Sequence, residues 1–239
     1  MQLVMFVMFF GVYSVTLLGN TTFIMLICKD SQFQTPMYFF IGNLSFLDLW
    51  HSSVYTPKIL MTCISDDKSI LFVDCMVQFF SAGLGYTEYF LLGAMAYYHY
   101  VAISKPLFYS QAMSGRLCFC LVISSYTGGF INTTVLTSNM FTLEFCFGNV
   151  IDDFFCDVLP LLMLACSVRE SYQSMVYYIL TSNVIASIVL ILASYLFIII
   201  AIVRIHSTQV HLKAFTTCSS HLISDLILWL HFLCSSYSL

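Results

Sequence analysis

Charge is what this sequence has least of. Of 239 residues, 8% are Asp, Glu, Lys or Arg, while 60% are apolar and 17% aromatic. A soluble domain carries roughly 25% charged residues. So little charge cannot cover a surface facing water, and an ordinary soluble fold is excluded. The charges also cluster, leaving long uncharged tracts, as in helical proteins that cross a membrane several times. Proline is nearly as scarce, with four in the chain. Pro36 suits a helix start, where its missing N–H costs nothing. Pro57 kinks a helix, Pro106 stops one, and Pro160 lies in a loop. Residues 1–28 lack the basic start of a cleavable signal peptide and are long enough to span, so they read as the first helix.

Motifs of chemistry are lacking too. Two buried carboxylates sharing a proton could make an intramembrane aspartyl protease. Here Leu47 and Ser224 precede Asp48 and Asp225, and no Gly-x-Gly-Asp occurs. No inverted repeat or pair of Gly/Pro-broken helices points to a transporter. No catalytic residue, nucleotide motif or nucleic-acid motif is present. The loop over residues 138–171 holds no His, and its cysteines are spaced too widely for a zinc knuckle. The expectation is a protein that is not an enzyme and has no metal or cofactor.

What is there is a single all-α domain over residues 1–239. Its spans are expected near 2–28, 36–62, 75–104, 117–137, 172–205 and 214–234, with a long outer loop at 138–171. If the first turn is cytoplasmic, that side holds Lys29, Lys105, Arg116, Arg204 and Lys213. The other side holds Lys58, Lys68 and Arg169 among eight acids. The excess of basic residues puts the N-terminus outside. Asp48 and Glu88 sit in mid-span, where each needs a proton, a cation or a donor. With Asn20 they make a candidate buried polar cluster. Of the ten cysteines, Cys28, Cys63, Cys118, Cys120, Cys218 and Cys234 lie in or beside spans and read as small core hydrophobes. Cys75, Cys146, Cys156 and Cys166 lie in polar connections, where four thiols allow three pairings.

The stretch Met95-Ala-Tyr-Tyr98-His99-Tyr100-Val-Ala-Ile-Ser-Lys-Pro106-Leu107 resembles the Met-Ala-Tyr-Asp-Arg-Tyr-Val-Ala-Ile-Cys-x-Pro-Leu signature of odorant receptors. Phe33-Gln-Thr-Pro-Met-Tyr-Phe-Phe-Ile-Gly-Asn-Leu-Ser-Phe-Leu-Asp48 is similar to that family's second helix. Residues 145–166 resemble its second extracellular loop. Ser194-Tyr195 fits its fifth helix, and Lys213-Ala-Phe-Thr-Thr-Cys218-Ser-Ser-His221-Leu the start of its sixth. Gly19-Asn20 fits the first.

The resemblance implies a multi-span helical bundle of the G-protein-coupled receptor type, six of its seven helices present. It implies a small volatile odorant as ligand and a heterotrimeric stimulatory (olfactory-type) G protein as partner, raising cyclic AMP from a plasma membrane. It implies bridges from Cys75 to Cys156 and from Cys146 to Cys166. Odorant would sit under the loop between helices three, five and six. Counting from His99 gives Ser81, Ala82, Gly85 and Tyr86 as pocket positions, with Ser187 and Ile191 on helix five. Tyr98, His99, Tyr100 and Lys213 would form the switch and coupling surface.

The chain departs from the family pattern in several places. Tyr98 and His99 replace the signature Asp and Arg. From Cys75 to Glu88 it is about one residue short. The seventh helix with its Asn-Pro motif, and the polar N-terminal tail, are not in these residues. An alternative expectation is therefore a truncated product that does not signal. Such a chain would be retained in the endoplasmic reticulum or act only as a partner in a receptor dimer.

Overall fold

The computed structural model describes residues 2–65, 70–104, 114–141 and 150–151, and separate helical positions between 174 and 200. Five helices carry the described fold. They are α1 (Gln2–Lys29), α2 (Pro36–Ile64), α3 (Phe72–Gly83), α4 (Gly85–Ser104) and α5 (Gly115–Met140). A two-stranded antiparallel ribbon joins β1 (Ile70–Leu71) to β2 (Val150–Ile151), with Ile70 opposite Ile151. The all-α expectation holds, with this short ribbon added at one end.

Local chemistry sets the helix ends. Asp30 stops α1 and its carboxylate accepts from the Gln32 amide at 2.9 Å, capping a 3-10 turn at Ser31–Phe33. Pro36 opens α2 in its first turn. Ser114 caps α5, accepting from the Leu117 amide at 3.4 Å. Within the helices, hydroxyls turn back onto their own backbone. Ser14 donates to Phe10 O, Ser125 to Leu121 O and Thr127 to Ile123 O, each at 2.8 Å. Polar side chains thus satisfy themselves in an apolar medium.

α1 lies against α2, and α5 packs on both α3 and α4. Buried positions on α5 fall at Cys118, Val122, Ser125, Gly129, Thr133, Leu136 and Met140, a stripe at helical spacing. Against it α4 presents Leu91, Met95, Tyr98 and Val101, and α2 adds Phe40 and Leu47. Close approach needs glycine at two places. A Cβ on Gly83 would strike the Thr133 side chain, and one on Gly129 would stand 3.0 Å from the Thr87 amide nitrogen.

The outward faces stay apolar. On α1, Leu3, Val4, Val7, Met8, Val12, Val15 and Leu18 are exposed. Between residues 174 and 200, Tyr178, Ile185, Val189, Leu192, Leu196 and Ile199 repeat the pattern at helical spacing. Among the described helices, Leu3–Lys29 and Gly115–Met140 are long and apolar enough to cross a membrane.

Two sequence expectations change. The expected continuous third span is two helices, because the chain turns at Leu84. The cysteine reading holds for buried Cys118, but Cys28 and Cys120 are exposed free thiols on helix surfaces. Cys218 and Cys234 lie outside the described residues.

Candidate functional site

The chemistry concentrates where α2 meets the break between α3 and α4. Asp48, His51 and Tyr55 follow one another on α2 at spacings that share a face. Tyr55 donates its hydroxyl to Gln78 O at 2.7 Å. His51 places Nε2 3.0 Å from Ser81 O and Nδ1 3.0 Å from Glu88 Oε1. The pair is largely enclosed, with His51 and Glu88 side chains 23% and 14% exposed.

The break makes the Ser81 carbonyl available. An α-helical carbonyl accepts from the amide four residues on. Here Leu84 N turns back to both Phe80 O, at 3.2 Å, and Ser81 O, at 3.1 Å. The next turn is equally tight, with Thr87 N on Leu84 O at 2.9 Å. Ser81 O thus accepts from Leu84 N and, on its other lone pair, faces His51 Nε2.

Glu88 thus has a partner in His51, which the sequence expectation does not include. Asp48 lies within electrostatic reach of Glu88 and His51, yet its own side chain is exposed on α2. Asn20 donates to Thr16 O of its own helix at 3.1 Å. Among the described residues the polar centre is therefore His51–Glu88, with Asp48 beside it and Asn20 bonded within α1. The signal for His51 was its place in mid-span, three residues after Asp48.

Of the pocket positions, Ser81 and Tyr86 are buried and Gly85 is half-buried. Gly85 faces α2, since a Cβ there would meet His51 Cε1 at 3.7 Å. The side chain of Ala82, and Ser187 and Ile191, lie outside the described residues. Five buried polar side chains at this level have an oxygen with no protein partner among the described residues. They are Gln78, Ser81 and Thr87 on α3 and α4, and Thr133 and Thr137 on α5. Only Ser81 was singled out from the sequence. The others sit in apolar runs, where one hydroxyl or amide does not stand out.

At the far end of α4, Tyr98 is buried among apolar neighbours and meets Phe40 edge-on, ring centroids 6.5 Å apart. Tyr97 is exposed and Tyr100 half-buried. The His99 side chain and Lys213 lie outside the described residues. At the opposite end Cys75 is fully buried and disulfide-bonded. Its partner is outside the described residues, as are Cys146, Cys156 and Cys166. The ribbon brings Val150 and Ile151, which lie between Cys146 and Cys156, alongside Ile70 and Leu71 just before it.

Comparison with known proteins gives one answer. Residues 9–237 match the profile of the family described as "Olfactory receptor". The chain is 66% identical over 224 residues to "Olfactory receptor 9G19" of Mus musculus, covering 93% of the chain and 73% of that protein. It is 64% identical over 225 residues to "Olfactory receptor 9G1" of Homo sapiens, covering 94% and 74%. With human "Olfactory receptor 9G4" the identity is 50% over 229 residues, covering 95% and 70%.

Proposed function

The chain belongs to the olfactory receptor family, and from that premise we propose that it binds a small volatile odorant beside α3–α5 and couples to a stimulatory G protein that raises cyclic AMP. The family is one of non-enzymatic, odorant-detecting G-protein-coupled receptors, multi-pass in the plasma membrane. The observation that carries the ligand site is the set of buried oxygens on Gln78, Ser81, Thr133 and Thr137 that have no partner among the described residues. An unpaired polar atom in a dry interior is costly. A hydroxyl or carbonyl on an otherwise apolar odorant would complement this set, with Ser81, Ala82, Gly85 and Tyr86 contributed by the third span and Ser187 and Ile191 by the fifth.

The N-terminus faces outward in this reading, so the ribbon and Cys75 lie at the odorant entrance. Cys75 pairs with Cys156, and Cys146 with Cys166, pinning the loop over the bundle. The bonded state of Cys75 supports the first bridge. His99, Tyr100 and Lys213 meet the G protein at the other end.

One observation favours a second reading. Tyr98, where the family signature has Asp, fills an apolar seat against Phe40. A receptor built this way would bind without coupling, remain in the endoplasmic reticulum, or act through a dimer with an intact receptor.

The test is odorant-evoked cyclic AMP per receptor at the cell surface, with Tyr98→Asp/His99→Arg run beside the unaltered chain. A dose-dependent signal from the unaltered chain is the expected result. Equal surface label with signal only from the altered chain would establish the non-coupling form of the second reading and locate the defect at the end of α4.

A further inference from the structure

We propose that His51 is a positioning residue: it holds the bend at Leu84 and thereby sets the face that α3 and α4 turn toward the odorant. The inference rests on the receptor reading above and extends it to a residue outside the pocket.

The ring of His51 straddles the break. Nε2 reaches Ser81 O on the α3 side, Nδ1 reaches Glu88 on the α4 side, and Cε1 lies nearest Gly85 at the break itself. One turn further along α2, Tyr55 holds Gln78 O. Both acceptors on α3 are backbone carbonyls. A grip on the backbone fixes the helix rather than one side-chain rotamer. Ser81 O keeps a tight bond from Leu84 N at 3.1 Å, and in lipid its second lone pair has no water to turn to. His51 is the side chain that takes up Ser81 O.

The proton count follows from the partners. A carbonyl can only accept, so Nε2 carries a hydrogen. The 3.0 Å contact between Nδ1 and Oε1 then holds one proton. It sits either on an imidazolium facing an ionised Glu88 or on Glu88 facing a neutral ring. In both forms the pair has no net charge, so Glu88 is compensated at depth from within the fold. Among the described residues the titratable groups around the pair include Asp48 and Tyr55 on α2, Tyr89 on α4 and Tyr126 on α5.

The experiment is hydrogen–deuterium exchange on the full chain in lipid nanodiscs, read over residues 81–88, alongside surface-normalised odorant dose–response curves. In His51→Phe, which keeps the ring but loses both polar contacts, exchange over 81–88 should quicken about tenfold, while α1 is unchanged. Agonist potency should fall by about tenfold, and the rank order of agonists should change. In His51→Gln, which can still donate to Ser81 O and bond Glu88, both readouts should stay within about threefold of the parent. If His51→Phe fails to assemble, His51→Asn is read the same way, being too short to bridge both partners. Unchanged exchange over 81–88 overturns the proposal. So does a uniform quickening along all helices, which would mean only a loss of stability. Absence of any odorant response from the parent would count against the receptor reading alone, since the exchange result stands without it.

Discussion

At Gly129 the side chain is a hydrogen because the backbone of Thr87 passes too close for anything else. A methyl group there would lie 3.0 Å from an amide nitrogen, which cannot swing aside as a flexible side chain can. Gly129→Ala should therefore cost about 1–3 kcal/mol, the usual penalty for overpacking a filled interior. Thermal unfolding in detergent would show this as a lowered midpoint. Gly11→Ala is the control. Nothing lies within 4 Å of its added methyl, and alanine is the better helix former, so its midpoint should hold or rise slightly. Equal losses in the two would remove the close approach of α4 and α5 from the account. In the sequence Gly129 stands next to Gly128 inside an apolar run, the kind of small-residue pair that lets helices approach closely. His51 is not legible in this way. A histidine in mid-span draws attention only once something needs its Nε2–H. That need comes from the Ser81 carbonyl, which hydropathy does not reveal. Tyr98 was legible as a departure from the signature, but its seat against Phe40 required the structure.

Pro36 is legible as a helix start from its residue type, whereas the caps at Asp30 and Ser114 emerge only with the structure. The break at Leu84 is not legible, because Gly83-Leu84-Gly85 leaves an apolar run apolar and keeps the period near its usual value. The start of the third helix was also hidden. Phe72 and Val73 are as apolar as the span they begin, and the ribbon pairing that fixes Ile70 and Leu71 comes from residues far along the chain. The element most dependent on that distant contact is α3, short and released from α4 at its far end. Its near end is fastened by the ribbon and by the bridge at Cys75. Cys75→Ser should therefore cost about 2–4 kcal/mol. Surface label should fall steeply, and a purified sample should melt earlier. Reductant added to the unaltered chain should reproduce the early melting. Indifference of the unaltered chain to reductant, beside an early-melting Cys75→Ser, would mean that burial of the Cys75 side chain matters and the bridge does not.

For the whole molecule the open question is which way the bundle faces. The described helices leave apolar side chains outward on α1 and again at the described positions between 174 and 200, so lipid is the solvent on those sides and outward-facing charge belongs at the ends. Lys29 and Arg116 stand at one end, beside the α1–α2 turn and the start of α5. The ribbon and buried Cys75 stand at the other. Basic residues are held on the cytoplasmic side during insertion, and acidic ones weigh little in that choice. A disulfide also forms and persists in an oxidising compartment. The two arguments are independent and both favour the proposed topology, in which the Lys29 end is cytoplasmic and the Cys75 end lies outside. A peptide tag placed before Gln2 should accordingly be stained by antibody on intact cells. A tag inserted between Lys105 and Ser114 should be stained only after permeabilisation. The reverse pattern would place Cys75 on the reducing side and leave its bridge without a compartment to form in. Staining of both tags only after permeabilisation would mean that the chain stays inside the cell, and the same pair of tags, read after selective opening of the plasma membrane, would still report which end faces the lumen.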